Sequence, residues 1–407
     1  MSIPLLIPLL LVSGCKKDPR DTGPAETGDT DDGIVTYYDD VRPILTEHCI
    51  GCHGLASEDP PSLADYASAA ERSMMISSYT ASGYMPKWPA SDDCLELKNE
   101  RALTEEQIST LQDWHNGGAI EGEYTGETGT DAWDSSEWDV AVGAIGAYTP
   151  SAFGDDEYIC FSLDPGLDED IHVTDYRVYP GNLGIVHHVL LFVDEEGASL
   201  DQVTDDDLDS YECYSGPGVE ADVFGGWVPG MKGVTLPEGT GFLVPAGSRI
   251  IMQIHYHPEN DPGGEDQTQV GLITGEVDQR MFFERIRPAT VSIPPDTTGH
   301  SETGELELDE EVDITVHAMA PHMHELGAST SLTWTPQGGD EECLIEIPEW
   351  DFEDQQLYWT TEGKILDGGG TLTVECIYDN TTGSTVTWGE ETEDEMCLTY
   401  VAYTVNE

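Results

Sequence analysis

The segment "IVHHVLLFV", residues 185–193, places two adjacent histidines, His187 and His188, inside a run of aliphatic and aromatic residues. Such a run is typical of a buried β-strand, in which neighbouring side chains point to opposite faces of the sheet. Ordinary packing therefore does not explain two histidines side by side. Both can reach one ligand only if the strand bends or if the two side chains adopt different rotamers.

Other histidines of the chain also occur in pairs within apolar segments. The segment "MQIHYH" contains His255 and His257, and "APHMHELG" contains His322 and His324. A His-x-His pair on a strand puts both imidazoles on the same face, which is the arrangement that a metal ion needs. A single buried histidine is usually a hydrogen-bonded core residue, but three groups in one chain predict metal binding.

The charge of the chain excludes some classes of partner. It has 407 residues, with 15 basic and 81 acidic side chains and a formal net charge of −66. Binding to phosphates needs Lys and Arg, so nucleic acid is excluded as a partner and an anionic membrane surface is disfavoured. Hydrophobic residues make up 38% of the chain, which is enough for packed cores under an acidic, solvated surface.

The first 33 residues predict export rather than a folded domain. Residues 3–12 are an apolar run that is too short to span a bilayer and is typical of an export signal. The following "VSGC" resembles a bacterial lipobox, which implies a signal peptide over 1–15 and lipidation of Cys15. Residues 16–33 are rich in Asp, Thr, Gly and Pro and predict a disordered acidic linker. We expect an exported bacterial lipoprotein, periplasmic or at the cell surface, that meets the membrane only through its lipid anchor.

The segment "VRPILTEHCIGCHG" carries a motif for covalent haem. Cys49 and Cys52 have the spacing that forms thioethers to the two haem vinyl groups, and His53 follows as one axial ligand. The other interpretations are a redox dithiol, which does not need His53, and half of a zinc site. A second Cys-x-x-Cys that would complete a zinc cluster is missing from the sequence.

The second axial ligand is expected downstream of this motif. Met85, which precedes Pro86 in "SGYMPKWP", is the predicted ligand, and its thioether would favour ferrous iron. Met74 and Met75 are the alternatives. They lie in a helix-like stretch, where we expect them to pack in the core.

The residues that follow predict a helix that closes a small all-α domain. Residues 101–122 have the apolar spacing of an amphipathic helix, with Thr104 and Gln107 as a capping box. Together with the haem motif, residues 34–125 resemble a small c-type cytochrome domain.

The residue pattern of the sequence changes after about residue 126. Short β-branched runs alternate with Gly, Pro, Asp and Thr turns, which predicts antiparallel sandwiches. We expect two of them, over 126–275 and 276–407. The predicted fold is therefore multidomain: a small all-α cytochrome c-like domain followed by two antiparallel β-sandwich (jelly-roll) domains.

The order of the histidine motifs over about residues 155–407 resembles that of the copper type II, ascorbate-dependent monooxygenases, the family of the peptidylglycine and dopamine hydroxylases. The resemblance implies two sandwich domains that each hold one copper ion and face each other across a solvent cleft. It also implies the ligands, which are His187, His188 and His255 for the electron-transfer copper, and His322, His324 and Met396 of "DEMCLTYVAY" for the oxygen-binding copper. A thioether in place of one imidazole favours Cu(I), the state that meets O₂.

The resemblance extends to the cysteines. It implies one disulfide between Cys160 and Cys213 in the first sandwich and another between Cys376 and Cys397 beside the methionine strand. Such bridges typically contribute ~2–4 kcal/mol to stability. Cys94 and Cys343 remain, and they are either free or paired across domains.

Further positions at which this chain can be compared with the family concern the substrate. Tyr400 occupies the position at which the family has a tyrosine after its methionine ligand, and it is expected to line the pocket. The peptidylglycine enzymes have an arginine two residues before the His-x-His pair, where this chain has Ala320. A peptide C-terminus is therefore not expected as the substrate, and a catecholamine is not expected for a bacterial-type lipoprotein. His257 and His317 are extra to the motifs and are expected to support the ligands or to lie at the surface.

These patterns together predict a copper-dependent monooxygenase-like oxidoreductase with haem c and two copper ions. It would hydroxylate a small molecule with O₂. Electrons would pass from the haem to the three-histidine copper and then to the copper with the methionine ligand. The alternative is a non-catalytic haem and copper electron-transfer or copper-binding lipoprotein. The sequence determines neither the substrate nor the redox donor.

Overall fold

The structure is a computed structural model that describes residues 34–54, 61–98, 101–124, 133–151, 156–205, 207–214, 216–257, 263–352 and 354–406. The predicted signal peptide, the lipidation of Cys15 and the predicted linker lie outside these residues. Among the helices that are described, none is both long and apolar enough to cross a membrane.

The helical part of the chain comes first. A π-helical turn at Tyr37–Val41 is followed by four helices, α1 (Arg42–His48), α2 (Tyr66–Glu71), α3 (Ser73–Ser82) and α4 (Glu105–Asn116). The predicted capping box is confirmed, since the Thr104 side chain accepts from the Gln107 backbone and the Gln107 side chain accepts from Thr104. The small core of this part is centred on the buried side chains of Tyr37, Leu45, Leu111 and Trp114.

The expectation that Met74 and Met75 pack in the core is wrong. Their exposed fractions are 65% and 39%. Helix α3 instead turns Ser73, Ile76 and Thr80 inward. Small and polar side chains therefore allow α3 to pack closely on α4, and both methionines face outward.

Strands dominate the chain from residue 140 onward. The first ten are β1 (Val140–Gly143), β2 (Glu157–Leu163), β3 (Ile171–Tyr179), β4 (Val186–Asp194), β5 (Ser210–Glu212), β6 (Asp222–Trp227), β7 (Val234–Thr235), β8 (Thr240–Val244), β9 (Arg249–Tyr256) and β10 (Gln269–Thr274). The next ten are β11 (Gln279–Ile286), β12 (Ser292–Ile293), β13 (Thr297–Glu307), β14 (Ile314–His322), β15 (Gly327–Thr335), β16 (Glu342–Ile347), β17 (Tyr358–Leu366), β18 (Thr371–Asn380), β19 (Val386–Thr387) and β20 (Leu398–Val405). Short 3₁₀ turns lie at Ser135–Glu137 and Ala198–Gln202.

These strands form several antiparallel sheets, so the chain is mostly β-structure. A long sheet has the order β1-β10-β3-β8-β11-β20-β14-β17, with β7 added beside β3. A five-stranded sheet has the order β5-β2-β9-β4-β6, a four-stranded sheet the order β13-β18-β15-β16, and β12 pairs with β19. Strands β8 and β11 pair in parallel, which joins the two halves of the long sheet across the sequence position near 275.

Two hydrophobic cores lie against the long sheet. One contains Phe161, Val189 and Ile254 of the five-stranded sheet together with Val173 and Val270 of the long sheet. The other contains residues of β14 and β20 from the long sheet and of β15, β16 and β18 from the four-stranded sheet. Each half of the long sheet therefore forms a sandwich with a different smaller sheet.

The segment 88–98 leaves the helical part and packs on the second sandwich. Ser91 N–H donates to Glu346 O over 2.9 Å, and Leu97 forms a β-bridge with Thr360. Cys94 and Cys343 form a disulfide, which resolves the open question about these two cysteines. We call residues 88–98 the strap, because they fasten part of the helical segment to the C-terminal sandwich.

Candidate metal centre

A β-bulge brings the two adjacent histidines to the same side of the five-stranded sheet. Along the β4–β9 ladder, Val186 pairs with Tyr256 and His188 pairs with His255. His187 is therefore the extra residue of the bulge, and the local bend turns its side chain towards that of His188. The strand bends, which is one of the two ways in which both histidines were expected to reach one ligand.

The three histidines of this site converge through their Nδ1 atoms. The Nδ1 atom of His188 lies 3.2 Å from that of His187 and 3.4 Å from that of His255. A metal–nitrogen distance of about 2.0–2.1 Å with near-tetrahedral angles places ligand nitrogens ~3.3 Å apart. The donor set therefore fits a metal ion.

Asp156 contacts the ring nitrogen of His255 that does not face the other two histidines. Its Oδ1 atom lies 3.2 Å from Nε2 of His255 and 2.6 Å from Nδ1 of His257. Burial opposes ionisation of Asp156, but the adjacent His255 ring and hydrogen bonds from His257 and Thr392 outweigh it and hold the pKa of this carboxyl well below its usual range. A carboxylate behind a metal-binding imidazole fixes the tautomer and the ring orientation. His257, predicted as a supporting or surface group, contacts the same carboxylate.

The histidines of both predicted sites are neutral at pH 7. Burial lowers the pKa of His187 and His188 well below the ordinary value, and neighbouring histidines lower it further. Burial lowers the pKa of His322 to about 3 and that of His324 to about 4. Metal binding requires the neutral imidazole, so no proton has to be displaced from these ligands.

The second pair of histidines keeps its Nε2 atoms free. His322 Nδ1 lies 2.6 Å from Oε1 of Gln355, and His324 Nδ1 lies 3.1 Å from the carbonyl oxygen of Asp394. Both partners are acceptors, so each Nδ1 donates and each Nε2 carries the lone pair. The two rings are 5.2 Å apart and almost perpendicular. Each of the two rings therefore offers one nitrogen donor.

Glu395 joins the His-x-His loop to the methionine strand. Its Oε2 atom accepts from the backbone N–H groups of His324, over 3.0 Å, and Met396, over 3.2 Å, and its Oε1 atom accepts from Leu326 N–H. Burial raises the pKa of Glu395 to about 7, although these hydrogen bonds oppose the shift. The Met396 side chain is buried, and its carbonyl oxygen accepts from the Tyr378 hydroxyl. Glu395 therefore holds the backbones of two predicted ligands at one oxygen.

Both sets of histidines line a single small cavity. The rings of His188 and His322 are 6.3 Å apart, and the space between the histidines is too small for a water-sized molecule. The Phe352 ring stacks on His187 at 5.1 Å and approaches His324 at 5.7 Å. The structure therefore differs from the expected open cleft, because Phe352 and the converging sheets close the space between the two sites.

Four other predicted residues, Met396, Tyr400, His257 and His317, are not among the described residues that line this cavity. Tyr400 is in β20 opposite Arg285 and is not among the described residues that line the cavity. Burial raises the pKa of its phenol, and Arg285 opposes the shift through a hydrogen bond. His317 Nε2 lies 3.0 Å from the Thr404 hydroxyl and also does not line the cavity.

The Cys-x-x-Cys-His segment follows α1. Among the described cysteines, Cys49 and Cys52 are the two that are not in disulfides. His53 Nδ1 donates to Pro61 O over 2.8 Å, which leaves Nε2 as the nitrogen with the lone pair. Met85 is half-buried in the turn after α3, where its backbone N–H donates to Tyr79 O.

The structure also contains both of the implied disulfides. Cys160 pairs with Cys213, and Cys376 pairs with Cys397. The first ties β2 to the end of β5 on the outer face of the five-stranded sheet, where it packs with Ile251. The second places a covalent link directly after Met396.

Comparison with known proteins supports a family for the C-terminal part of the chain. Residues 280–406 match the family model of the copper type II ascorbate-dependent monooxygenase, C-terminal domain. The DBH-like monooxygenase protein 1 of Gallus gallus is 26% identical over 268 residues, which cover 59% of this chain and 42% of that protein. The chain thus spans less than half the length of this relative. Both findings support the copper type II monooxygenase family and a copper-type oxidoreductase.

Solved structures show only weak likeness. A peptide-N(4)-(N-acetyl-β-D-glucosaminyl)asparagine amidase has 9% identity and a TM-score of 0.28, covering 66% of this chain and 96% of that one. The major capsid protein P2 of bacteriophage PM2 has 10% identity and a TM-score of 0.26, covering 66% and 97%. Scores this low have no bearing on the function.

Proposed function

We propose that this protein is a copper-dependent monooxygenase-like oxidoreductase that acts on a small molecule with O₂. One observation carries the proposal. His188 Nδ1 lies 3.2 Å from His187 Nδ1 and 3.4 Å from His255 Nδ1, and ligand atoms of all three histidines lie within 4.8 Å of one another, in a chain whose residues 280–406 match a copper monooxygenase domain. The predicted ligands are His187, His188 and His255 at one site and His322, His324 and Met396 at the other.

The side chains around these ligands prepare them for a metal. Copper, when bound, supplies one-electron chemistry between Cu(II) and Cu(I), and the thioether of Met396 favours the reduced state. Asp156 holds His255 with Nδ1 directed at the other two imidazoles. Gln355 holds the proton of His322 on Nδ1, which leaves Nε2 to bind the ion. Burial excludes water from these groups and keeps the histidines uncharged.

We further propose that covalent haem at Cys49 and Cys52, with His53 and Met85 as axial ligands, delivers the electrons. The two thiols are unpaired, and the Pro61 carbonyl oxygen fixes His53 in the tautomer that a metal requires. A pocket of about 80 Å³ borders α1, just before Cys49. Three cations line it, which would suit the two carboxylates of a haem: Lys98, Arg101 and Lys232.

A second candidate is a non-catalytic electron-transfer or copper-binding protein. The size of the histidine cavity favours it, because the space between the histidines is too small for a water-sized molecule, whereas typical ligand pockets have volumes of ~300–1,000 Å³. In that case the coppers carry electrons but do not meet a substrate. A monooxygenase with this structure would need Phe352 to move before a substrate enters.

Oxygen consumption distinguishes the two candidates. Protein loaded with copper and reduced in the absence of air should consume O₂ on mixing, and its haem should become reoxidised. His322→Ala should abolish both signals, because it removes a ligand of the predicted oxygen-binding copper and leaves Cys49, Cys52 and His53 intact. His317→Ala is the matched control, since His317 is a histidine outside the cavity. Equal rates of haem reoxidation in the wild type and His322→Ala would eliminate the monooxygenase and leave the carrier.

We also propose that the protein is an exported lipoprotein anchored through Cys15. Its three disulfides support an oxidising compartment, since such bonds persist outside the cytosol. Metabolic labelling with a radioactive fatty acid should label the wild type and not Cys15→Ala. Labelling of both proteins would refute the anchor.

A further inference from the structure

One loop contacts both the histidine cavity and the segment that carries the Cys-x-x-Cys-His motif. We define residues 350–356, between β16 and β17, as the bridging loop; residue 353 lies outside the described residues. On the cavity side, Phe352 stacks on His187, and Gln355 Oε1 accepts from His322 Nδ1 over 2.6 Å. The loop therefore touches a ligand of each predicted copper.

The other side of the bridging loop binds two cations of the helical segment. Asp351 pairs with Lys87, and Asp354 pairs with Arg101. The second pair is well shielded from water, with side-chain exposures of 17% for Arg101 and 7% for Asp354. Removing one partner of a buried pair leaves an uncompensated charge, so the position of Asp354 depends strongly on Arg101.

Arg101 and Cys52 both approach Gly230. A methyl group added at Gly230 would lie 2.8 Å from Cys52 Sγ and 3.4 Å from Nη2 of Arg101. A methyl group at Gly51 would lie 2.5 Å from the Gly230 Cα atom, so glycine at both positions allows the close approach of the two loops. Cys52, Gly230 and Arg101 are therefore contiguous.

Hydrogen bonds within the bridging loop make it a connected unit. Asp354 N–H donates to Asp351 O over 3.0 Å, and Gln355 Nε2 donates to Phe352 O over 2.9 Å. The second bond also orients the Gln355 amide so that Oε1 points to His322. A displacement of Asp354 must therefore move the neighbouring Gln355 and its bond to His322.

We propose that the bridging loop is a coupling element, through which Arg101 beside Cys52 sets the position of Gln355 and thereby the strength of His322 as a metal ligand. Arg101 and Gln355 are positioning residues, and neither binds the metal. The physical basis is that the hydrogen bond behind a metal-binding imidazole controls its orientation and basicity. The inference rests on the proposed copper site at His322 and His324, and it makes the helical segment part of that site.

A double-mutant cycle tests the coupling. The variants Arg101→Gln, Gln355→Leu and their combination are made in a His187→Ala background, so that the bound copper reports the His322 site. Each single change should lower the copper affinity about 10–100-fold, the usual effect of losing such a support. The combined variant should be no weaker than the weaker single variant, within about twofold. Independent effects would multiply, and that result would overturn the proposal.

Further variants separate positioning from damage to the fold. Gln355→Glu keeps an acceptor oxygen opposite His322 and should retain most of the affinity and the Cu(II) electron paramagnetic resonance spectrum; a loss equal to that of Gln355→Leu would overturn the role of the hydrogen bond. Arg101→Lys keeps the charge opposite Asp354 and should give a smaller, equally non-additive loss. If the losses of copper affinity in Arg101→Lys and Gln355→Leu multiply in the combined variant, the proposal is also overturned.

A surface ion pair provides the matched control. Lys364→Gln breaks the pair with Glu342 on the second sandwich, and it should leave the copper affinity unchanged. A similar loss in Lys364→Gln would contradict a specific route through Arg101. Wild-type protein that binds no copper at His322 and His324 would refute the proposed function itself, whereas bound copper with multiplying effects would refute the coupling alone.

Discussion

The rings of His188 and His322 lie 6.3 Å apart, although one belongs to the five-stranded sheet and the other ends a strand of the long sheet. The two predicted copper sites are therefore neighbours in one buried cavity. Burial and the surrounding histidines, including His322, together lower the pKa of His188. Each site is thus part of the electrostatic environment of the other, which bears on how each responds to mutation.

Loss of a ligand at one site should leave the other site able to bind copper. We expect His187→Ala to lose one copper and to keep the second, because the ligands of the second site are held by Gln355, Asp394 and Glu395 and not by His187. Metal analysis of copper-loaded protein measures this directly. Loss of both ions, or zinc in place of copper after maturation in copper-replete medium, would contradict the assignment.

Asp156 should matter for the three-histidine site alone. Asp156→Asn weakens the acceptor behind His255, and we expect the affinity of that site to fall about 10–100-fold. The His322 site should keep its copper, since Asp156 contacts none of its ligands in the hydrogen bonds described. Titration against a copper chelator measures both affinities. Asp134→Asn, at an exposed turn, is the control, and an equal loss in both variants would rule out a specific role for Asp156.

Local patterns in the sequence predicted several parts of this structure. The capping box of Thr104 and Gln107 depends on residues three apart, and the His-x-His spacing of His322 and His324 depends on residues two apart. Such features need no knowledge of the fold. The condition that the strand bends or that His187 and His188 adopt different rotamers also followed from strand geometry alone, and the bulge provides the bend.

Long-range contacts could not be predicted in this way. Asp156 and Glu395 are two among 81 acidic residues, and nothing local distinguishes them from solvated side chains. Gln355 and Phe352 act only because the bridging loop folds back over the histidines. The exposure of Met74 was also missed, because an apolar side chain on a short helix gives no sign of which face is covered.

The haem motif gives a third prediction. Denatured protein should retain its haem through acid–acetone extraction, because thioethers to Cys49 and Cys52 are covalent. Met85→Ala should lose the weak far-red sulfur–iron absorption and should lower the reduction potential, since thioether ligation favours ferrous iron. Met74→Ala, at an exposed position of α3, should change neither. Persistence of the band in Met85→Ala would transfer the ligand role to another methionine.

The disulfide between Cys94 and Cys343 should hold the strap on the second sandwich. It joins residues 249 positions apart, and removing a native disulfide typically costs about 2–5 kcal/mol of folding free energy. We expect Cys94→Ser/Cys343→Ser to show a loss of this size in urea unfolding. Near the bridge, Ser91 N–H donates to Glu346 O and Leu95 N–H to Leu344 O, so both amides should exchange with deuterium faster in this variant.

The matched control for the strap is Cys160→Ser/Cys213→Ser, which opens a bridge in the first sandwich. That variant should also lose stability, but the amides of Ser91 and Leu95 should keep their protection relative to the global unfolding free energy. The two measurements therefore separate a general loss of stability from release of the strap. Unchanged exchange at Ser91 and Leu95 in Cys94→Ser/Cys343→Ser would show that hydrogen bonds and the packing of Ala90 and Leu97 hold the strap without the disulfide.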